Sequence, residues 1–105
     1  MIIAPCTGNT LAKASLGITD TTVTMAVKAH LRCSRNLLIA LATNDALSAN
    51  LKNIGTMVNK KNVYFVPMKQ DNPAEKPYSL VCDFDKLFPA FKAMNSGKQL
   101  RPVFI

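Results

Sequence analysis

Three apolar runs divide this chain, and each has the composition of a buried β-strand. They are Ile2–Ala4, the continuous run Asn36–Thr43, and Asn62–Pro67, which closes on a proline. A run that is apolar at successive positions is typical of a strand covered on both faces of a sheet. The carboxyl-terminal stretch "LRPVFI" is predicted to form a last short strand.

Helical spacing of apolar residues fills the segments between these runs. Val23, Val27 and Leu31 recur at every fourth position, which predicts a core-facing stripe on one helix. Thr19 or Asp20 is the predicted N-cap of that helix. The same spacing predicts helices over residues 10–17, 21–34 and 47–59, and a last helix that begins near Asp83 or Asp85 with Pro89 in its first turn.

Strands that alternate with helices predict an α/β fold, in which a parallel sheet carries helices on its faces. We expect residues 1–105 to form a single, partial domain. No element precedes the first strand to cover its side, and a sheet of about three strands with an open apolar edge is poorly protected. The pattern therefore predicts an incomplete part of a larger domain.

Small polar side chains follow the first two predicted strands, at the point where each strand ends. In an open parallel sheet the carboxyl ends of the strands meet at one edge, and ligands bind in the crevice beyond it. Three loops leave this edge: Cys6–Thr10, Thr43–Ala46 and Met68–Tyr78. The sequence therefore predicts one polar ligand site, built from side chains of the first two loops: Thr7, Asn9 and Thr10, then Thr43, Asn44 and Asp45.

An alternative interpretation of the same residues is purely structural. Thr, Asn and Asp before a helix are common N-caps and turn formers, and Gly8 suits a positive φ angle. Either loop alone is explained as well by this interpretation as by a ligand, and only their meeting at one edge favours the ligand. The glycines stand singly along the chain, so a ligand that carries a phosphate needs its cradle elsewhere.

Charge and hydropathy narrow the classes of partner. The chain has a net charge of +7, but its Lys and Arg residues are spread along the sequence. The one cluster, Lys28, Arg32 and Arg35, is expected to be a solvated helix face, with an anion-binding patch as the alternative. Aromatic residues are too few for an RNA-binding module, and neither a membrane span nor a signal peptide is visible. We therefore expect a cytosolic protein that binds neither nucleic acid nor membrane.

The cysteines and the single histidine offer little chemistry. The three cysteines are widely spaced without a CxxC pair, which predicts reduced thiols and no metal site. Asp83 and Asp85 lie beside Cys82 and would raise the pKa of its thiol, which argues against a nucleophile. His30 falls inside the second helix without a partner, which predicts a packed or surface histidine.

A resemblance to a known family adds to this interpretation. The segment "APCTGNTLAKASLGITD" resembles the Pro-Ala-Ser-Ala-Asn-Thr segment of the flavin-containing cysteine decarboxylase superfamily, with Pro5, Asn9 and Thr10 in matching positions. "ALATNDALSANLKNIGTM" lies where that superfamily has its Pro-x-Met-Asn segment, and Asn44 matches its Asn. Motifs along almost the whole chain, among them "GITDTTVTMAVKAHLR" and "KNVYFVPMKQDNP", are similar to the carboxyl half of the dipicolinate synthase B-subunit family.

The resemblance implies a Rossmann-like or flavodoxin-like flavoprotein fold, of which this chain is the carboxyl-terminal part. It implies FMN held by Thr7, Asn9 and Thr10, and a small dicarboxylate substrate held by Asn44 and Asp45. No catalytic residue is assigned. The implied partner is the A subunit of dipicolinate synthase, which binds NADP, and a homo-oligomer is also expected. Together the two kinds of subunit would form dipicolinate from a dihydrodipicolinate-type precursor in the mother-cell cytoplasm of a spore former, and the isolated chain would be inactive.

Two other functions stay open at this point. One is a fragment of an FMN-dependent decarboxylase of the phosphopantothenoylcysteine decarboxylase type, and the other is an inactive, truncated module. "TNDAL" stands where the decarboxylases have Pro-x-Met-Asn, which favours the synthase over the decarboxylase. Retention of flavin would separate both enzymes from the inactive module.

Overall fold

A five-stranded mixed sheet forms the centre of the fold in the computed structural model, which describes all 105 residues. Its strands are β1 (Ile2–Cys6), β2 (Leu37–Thr43), β3 (Val63–Phe65), β4 (Met68–Lys69) and β5 (Leu80–Cys82). The helices are α1 (Gly8–Leu16), α2 (Thr22–Arg32), α3 (Leu51–Val58) and α4 (Leu87–Asn95), with a 3-10 turn at Phe84–Lys86 before α4.

The strand β2 is central and pairs on both of its sides. On one side β1 runs parallel to it, with Ile2 opposite Leu38. On the other side β3 runs parallel to its first half, and β5 runs antiparallel to its last two residues. The predicted parallel arrangement of the first three strands is thus confirmed, and β1 and β2 end at the same edge of the sheet.

Two apolar layers cover the two faces of this sheet. The larger layer joins alternate residues of β2 to α1, α2 and α3, through side chains such as Leu11 and Ile54. The smaller layer joins the other residues of β2, such as Leu38, to Met94 of α4. Residues Leu37–Leu41 are all buried, which confirms the prediction of a strand covered on both faces.

The predicted helices exist, but several bounds differ from the prediction. The helix predicted over 47–59 begins only at Leu51. Turns occupy the residues before it, because the carbonyl of Asp45 accepts the N–H groups of Ser48 at 3.1 Å and Asn50 at 3.0 Å. A carbonyl held in this way closes a compact turn and delays the helix.

The start of α2 is set by a capping box one residue later than expected. The N-cap is Thr21, not Thr19 or Asp20: its hydroxyl accepts the N–H of Thr24, and the hydroxyl of Thr24 accepts the N–H of Thr21. Two hydroxyls that satisfy each other's backbone donors fix the first turn more firmly than a single side chain.

The stripe predicted on α2 and the burial predicted for the first strand are only partly right. Val27 is buried and Leu31 half-buried, but Val23 is 40% exposed. In β1 only Cys6 is buried, and Ile2 is 43% exposed. The expectation of a buried first strand is therefore wrong, because the smaller apolar layer contains no residue of β1 and leaves one face of this strand uncovered.

The sequence pattern does not predict two of the strands. The strands β4 and β5 contain two and three residues, too few to show an alternation of apolar and polar positions. The carboxyl-terminal stretch forms only a single parallel bridge, between Phe104 and Met68. No helix of the structure combines the length and apolar character needed to cross a bilayer.

Candidate functional site

The carboxyl ends of β1 and β2 frame a cavity of about 350 Å³. Thr7 and Gly8 line it from the loop after β1, and Thr43 and Asn44 line it from the end of β2. The remaining walls come from Ala42 and from the segment around β5: Asp71, Ser79, Leu80 and Val81. Two predicted site residues, Thr7 and Asn44, thus meet in one cavity although they are distant in sequence.

A second depression, of about 400 Å³, adjoins this cavity. It contains Asn9 and Asp45, the other pair of predicted residues from the two loops. Gly8 lines both depressions, so they form one continuous rim at the carboxyl ends of the strands. We call this surface the rim site. Its other lining residues in the second depression are Ala12, Leu16, Ala49, Asn50, Lys52 and Asn53.

Gly8 allows the two loops to approach each other closely. A Cβ atom at this position would lie 2.5 Å from Oγ1 of Thr43, 2.7 Å from Nδ2 of Asn50 and 3.1 Å from Oδ1 of Asp45. Real side chains do not approach so closely, so the contact requires a residue without a Cβ. Gly8 is required by this close packing and not by a positive φ angle, because its φ is not positive.

The carboxylate of Asp45 organises the turn after β2. Its Oδ1 accepts the hydroxyl of Thr43 at 2.7 Å and the amide of Asn50 at 2.8 Å. These two hydrogen bonds lower the pKa of Asp45 below its ordinary value, because they favour the charged form, and the Thr43 bond has the larger effect. Asp45 is therefore ionised at neutral pH and already engaged within the protein.

A chain of buried amides links this turn to α1. The amide of Asn53 donates to Oδ1 of Asn50 at 2.8 Å, and the hydroxyl of Ser15 donates to Oδ1 of Asn53 at 2.8 Å. Asn50 and Asn53 are both buried. Buried polar groups of this kind fix the relative position of the elements that carry them, because an unpaired group would be costly.

Thr7 and Thr10 have a structural role in addition to their position at the rim. The hydroxyl of Thr7 accepts the N–H of Thr10 at 3.3 Å and donates to the Thr10 hydroxyl at 3.2 Å, so Thr7 is the N-cap of α1. Thr10 is half-buried on α1 and lines neither depression. The capping interpretation thus applies to Thr7, which also lines the first cavity.

Asp71 adds a carboxylate to the first cavity. It is exposed, and the neighbouring Ser79 hydroxyl is the main cause that lowers its pKa below the ordinary value. The sequence analysis placed Asp71 in the third loop at this edge without assigning it to the site, and it did not assign Ser79, which precedes a strand that is too short to recognise. The buried pair Asn50 and Asn53 carried a usable signal, since amides three residues apart fall on the apolar side of an amphipathic helix.

The cysteines and the histidine do not line the rim site. Burial raises the pKa of Cys6 to about 12. Burial is also the main cause that raises the pKa of Cys82 to about 11, with the charge of Asp83 adding to it. Neither thiol is a thiolate at neutral pH. His30 is tied to the start of β2, where its Nε2 lies 2.9 Å from the carbonyl oxygen of Asn36, in agreement with a packed histidine.

Comparisons with known proteins identify the family. The family model described as "Flavoprotein" matches residues 1–96. This chain belongs to the flavoprotein family. It is 38% identical, over all 105 residues, to the dipicolinate synthase B subunit of Bacillus subtilis (strain 168), and covers 52% of that protein. It also matches the crystal structure of the dipicolinate synthase B subunit from Bacillus halodurans C with a TM-score of 0.96 and 43% identity, over 100% of this chain and 54% of that one.

The match with these relatives confirms the flavodoxin-like α/β fold that the resemblance implied. The chain spans about half the length of the relatives it matches. Membership of the flavoprotein family implies a flavin cofactor. The relatives are named as subunits, which implies an enzyme complex with at least one further component.

The donor set of the rim suits one part of a flavin better than another. The first cavity contains hydroxyl and amide groups and the carboxylate of Asp71, with no Lys or Arg, and the only cation of the second depression is Lys52. The backbone N–H groups of Gly8 and Asn9 lie in the first turn of α1, where a helix leaves its donors unpaired. Such N–H donors can bond to the polar edge of a flavin ring, whereas Lys52 is the one cation and no glycine-rich loop is present at the rim for the phosphate.

Proposed function

We propose that this chain is half of the ligand-binding core of a B-type component of dipicolinate synthase. Together with an A-type component that holds NADP, it would oxidise a dihydrodipicolinate-type precursor to dipicolinate. The observation that carries the proposal is the rim site, where Thr7, Asn9 and Asn44 come together in a chain that matches such a protein along all of its own residues. The origin of one relative in Bacillus subtilis, a spore former, supports a mother-cell cytoplasm as the location of the reaction.

FMN is the flavin we assign to the rim, and when bound it supplies redox chemistry. Asn9 would bind its ring edge through its amide group, and Thr7 would accept a hydrogen bond through its hydroxyl oxygen, whose hydrogen is donated to Thr10; both residues are exposed at the rim. Thr10 would act through Thr7, whose hydroxyl it orients at 3.2 Å. Such groups hold a planar polar ligand in position without titrating near neutral pH.

Asn44 is the residue that we assign to the dicarboxylate substrate. Its side chain is exposed in the first cavity, and an amide N–H₂ group is a suitable donor to a carboxylate. The carboxylates of Asp45, beside it, and of Asp71, in the same cavity, repel a carboxylate, and Oδ1 of Asp45 is occupied by Thr43 and Asn50. Asp45 would therefore contribute to the site by fixing the turn that presents Asn44.

The test is an Asn9→Ala substitution in a protein that joins this chain to the half of its Bacillus subtilis relative that it does not match. We expect the Kd for FMN to rise about tenfold, which corresponds to one lost hydrogen bond of about 1.4 kcal/mol. Flavin absorbance during titration measures it. Asn59→Ala is the matched control, because Asn59 is also an exposed asparagine but ends α3. If both variants bind FMN as tightly as the parent protein, Asn9 is not part of the flavin site.

The decarboxylase alternative has one specific feature in its favour, the match of Pro5, Asn9 and Thr10 to the decarboxylase segment. A thiol with a pKa of about 11 at Cys82 argues against a catalytic cysteine there. Assay of the complete complex with a peptidyl-cysteine and with dihydrodipicolinate separates the two enzymes. Binding of flavin without either activity would leave a binding module.

A further inference from the structure

A cavity of about 1200 Å³ lies between the residues that lead into β3 and the carboxyl-terminal stretch of the chain. Lys60 and Lys61, which line it, follow α3 and precede β3, and β3 runs parallel to β2 and β1. Residues that lead into parallel strands lie at the amino ends of those strands. Lys60 and Lys61 are therefore at the end of the sheet opposite the rim site.

Cations line this cavity and a second one beside it. The larger cavity contains Lys60, Lys61 and Arg101. The second, of about 380 Å³, lies between α1 and α2 and contains Lys28, Arg32 and again Lys60. Because Lys60 lines both, the two cavities are neighbours, and we call them together the basic surface.

No carboxylate neutralises the basic surface. None of the six acidic residues of the chain lines either cavity. Asp20 follows a residue of the smaller cavity, but its carboxylate is paired with Lys13 at 3.0 Å in the one salt bridge of the structure. Asp45 and Asp71 line the rim site instead. Cations that are placed together without counterions repel one another, so a bound anionic group would stabilise them.

Apolar side chains are exposed among these cations. Val58 and Phe104 are exposed in the larger cavity, and Ile18 is exposed in the smaller one. This combination favours a ligand with both acidic and apolar groups. The larger cavity alone exceeds the volume of about 300–1,000 Å³ that is usual for small-molecule sites, which favours a polypeptide over a small anion.

Hydrogen bonds hold the carboxyl-terminal wall of the larger cavity in place. The amide of Gln99 donates to the carbonyl of Phe65 at 2.6 Å, and its Oε1 accepts the N–H of Phe65 at 2.8 Å. Further along, the N–H of Met68 donates to the carbonyl of Val103 at 2.7 Å. Arg101 lies between these two attachments. The wall is thus formed before a ligand binds, which lowers the entropic cost of binding.

We propose that the basic surface binds an acidic polypeptide segment that also contains apolar side chains and belongs to another protein. A second copy of this chain is a poor occupant, because two molecules with a net charge of +7 repel each other. Nucleic acid is disfavoured because Tyr64 and Phe104 are the only aromatic residues in the two cavities, too few for a series of stacked bases. A partner bound at this end of the sheet leaves the rim site open, so the inference goes beyond the proposed function and does not depend on it.

The experiment titrates the complete chain with short synthetic peptides and follows its backbone amides by NMR. The probe peptide alternates Glu with Leu, one control peptide has Ser in place of Leu, and another has Lys in place of Glu. We expect the Glu–Leu peptide to shift the amide signals of Lys60, Lys61 and Arg101, and to bind at least about tenfold more tightly than either control. Its affinity should fall as salt is added, because salt screens exposed charges.

A matched pair of charge reversals tests the location. Lys60→Glu changes a cation that lines both cavities and belongs to no ion pair. Lys76→Glu makes the same change in net charge at an exposed position in the loop between β4 and β5. We expect Lys60→Glu to weaken binding of the Glu–Leu peptide at least about tenfold and Lys76→Glu to leave it unchanged. The melting temperature of each variant checks folding, and the amide shifts of the parent chain stand even if a variant does not fold.

Several results would overturn the inference. Absence of shifts at the basic surface would do so, as would an equal loss of affinity in the two variants, which would reflect net charge alone. Equal affinity for the Ser control peptide or for pyrophosphate would indicate a simple anion site, and equal affinity for a single-stranded oligonucleotide would indicate a nucleic-acid site. Shifts of the same amides with protein concentration, without peptide, would identify a second copy as the occupant. None of these results bears on flavin binding at the rim site, which is measured separately.

Discussion

The substitution Gly8→Ala tests the packing on which the rim site depends. The added Cβ would lie 2.5 Å from the Thr43 hydroxyl and 2.7 Å from the Asn50 amide. These atoms are the ends of short side chains, but both are held by the carboxylate of Asp45, at 2.7 and 2.8 Å. They cannot retreat without loss of the hydrogen bonds that fix the turn after β2.

The expected loss of stability comes from two contributions. Insertion of a methyl group into a well-packed contact costs about 1–3 kcal/mol, and each hydrogen bond lost from Asp45 adds about 1 kcal/mol. The gain in helix propensity from Gly to Ala is at most about 1 kcal/mol, and it is smaller at the first residue of a helix. We therefore expect Gly8→Ala to lower the free energy of unfolding by about 2 kcal/mol.

The assay is urea unfolding followed by far-UV circular dichroism. At a slope of about 1–3 kcal/mol per molar urea, a loss of this size lowers the midpoint by about 1 M. Gly55→Ala is the matched control, since Gly55 lies within α3, has an ordinary φ and would place its Cβ in open space. It should raise stability by up to about 1 kcal/mol.

The sign of the difference between the two variants is the decisive result. If the free energy of unfolding of Gly8→Ala equals or exceeds that of the parent protein, the Thr43 and Asn50 side chains move aside at no cost. The close approach of the two loops would then not be a constraint on the fold. A loss of stability in Gly55→Ala would instead mean that the helix-propensity correction has the wrong sign here.

Three further measurements test other parts of the structure. The pKa of Asp45 is lowered on folding, so its stabilising effect is present above the unfolded value of about 4 and is lost as pH falls through the folded value. Asp45→Asn should remove this loss of stability in acid when unfolding is measured as a function of pH. An unchanged pH profile would contradict this prediction. Gln99→Leu leaves both backbone groups of Phe65 unpaired, and should cost about 1–3 kcal/mol in thermal unfolding, compared with little for the exposed Lys98→Leu. A thiol reagent at pH 8 should label Cys33 alone in the native protein and all three cysteines after unfolding; three fast thiols in the native state would contradict the buried positions of the other two.

The pattern predicted that the loops after β1 and β2 meet at one edge of the sheet, but it did not predict how the side chains of those loops bond to one another. Thr7 and Asn44 were expected to meet at the carboxyl ends of β1 and β2, and they line one cavity. Asp45 was expected to face a ligand, and it is also the acceptor at the centre of the turn. Sequence spacing places residues at the edge of a sheet, but it does not show which lone pairs the protein itself occupies.

The sequence pattern did not assign Asp71 and Ser79 to the cavity, for a related reason. Ser79 reaches the cavity because it precedes β5, which pairs antiparallel with the last two residues of β2. That pairing depends on a three-residue strand whose position is set by contacts with distant parts of the chain. A local signal of that length is too weak to distinguish a strand from a loop.

The sequence by itself determined the order of the first three strands and the four helices, the burial of β2 and the loops that carry the polar side chains. Each of these depends on periodicity or on local turn chemistry, which neighbouring residues specify. Only the tertiary structure decided that Gly8 must lack a Cβ, that Asp45 is engaged by Thr43 and Asn50, and that β1 keeps one edge free. Those features depend on distances between segments far apart in the chain, and such distances are set by packing.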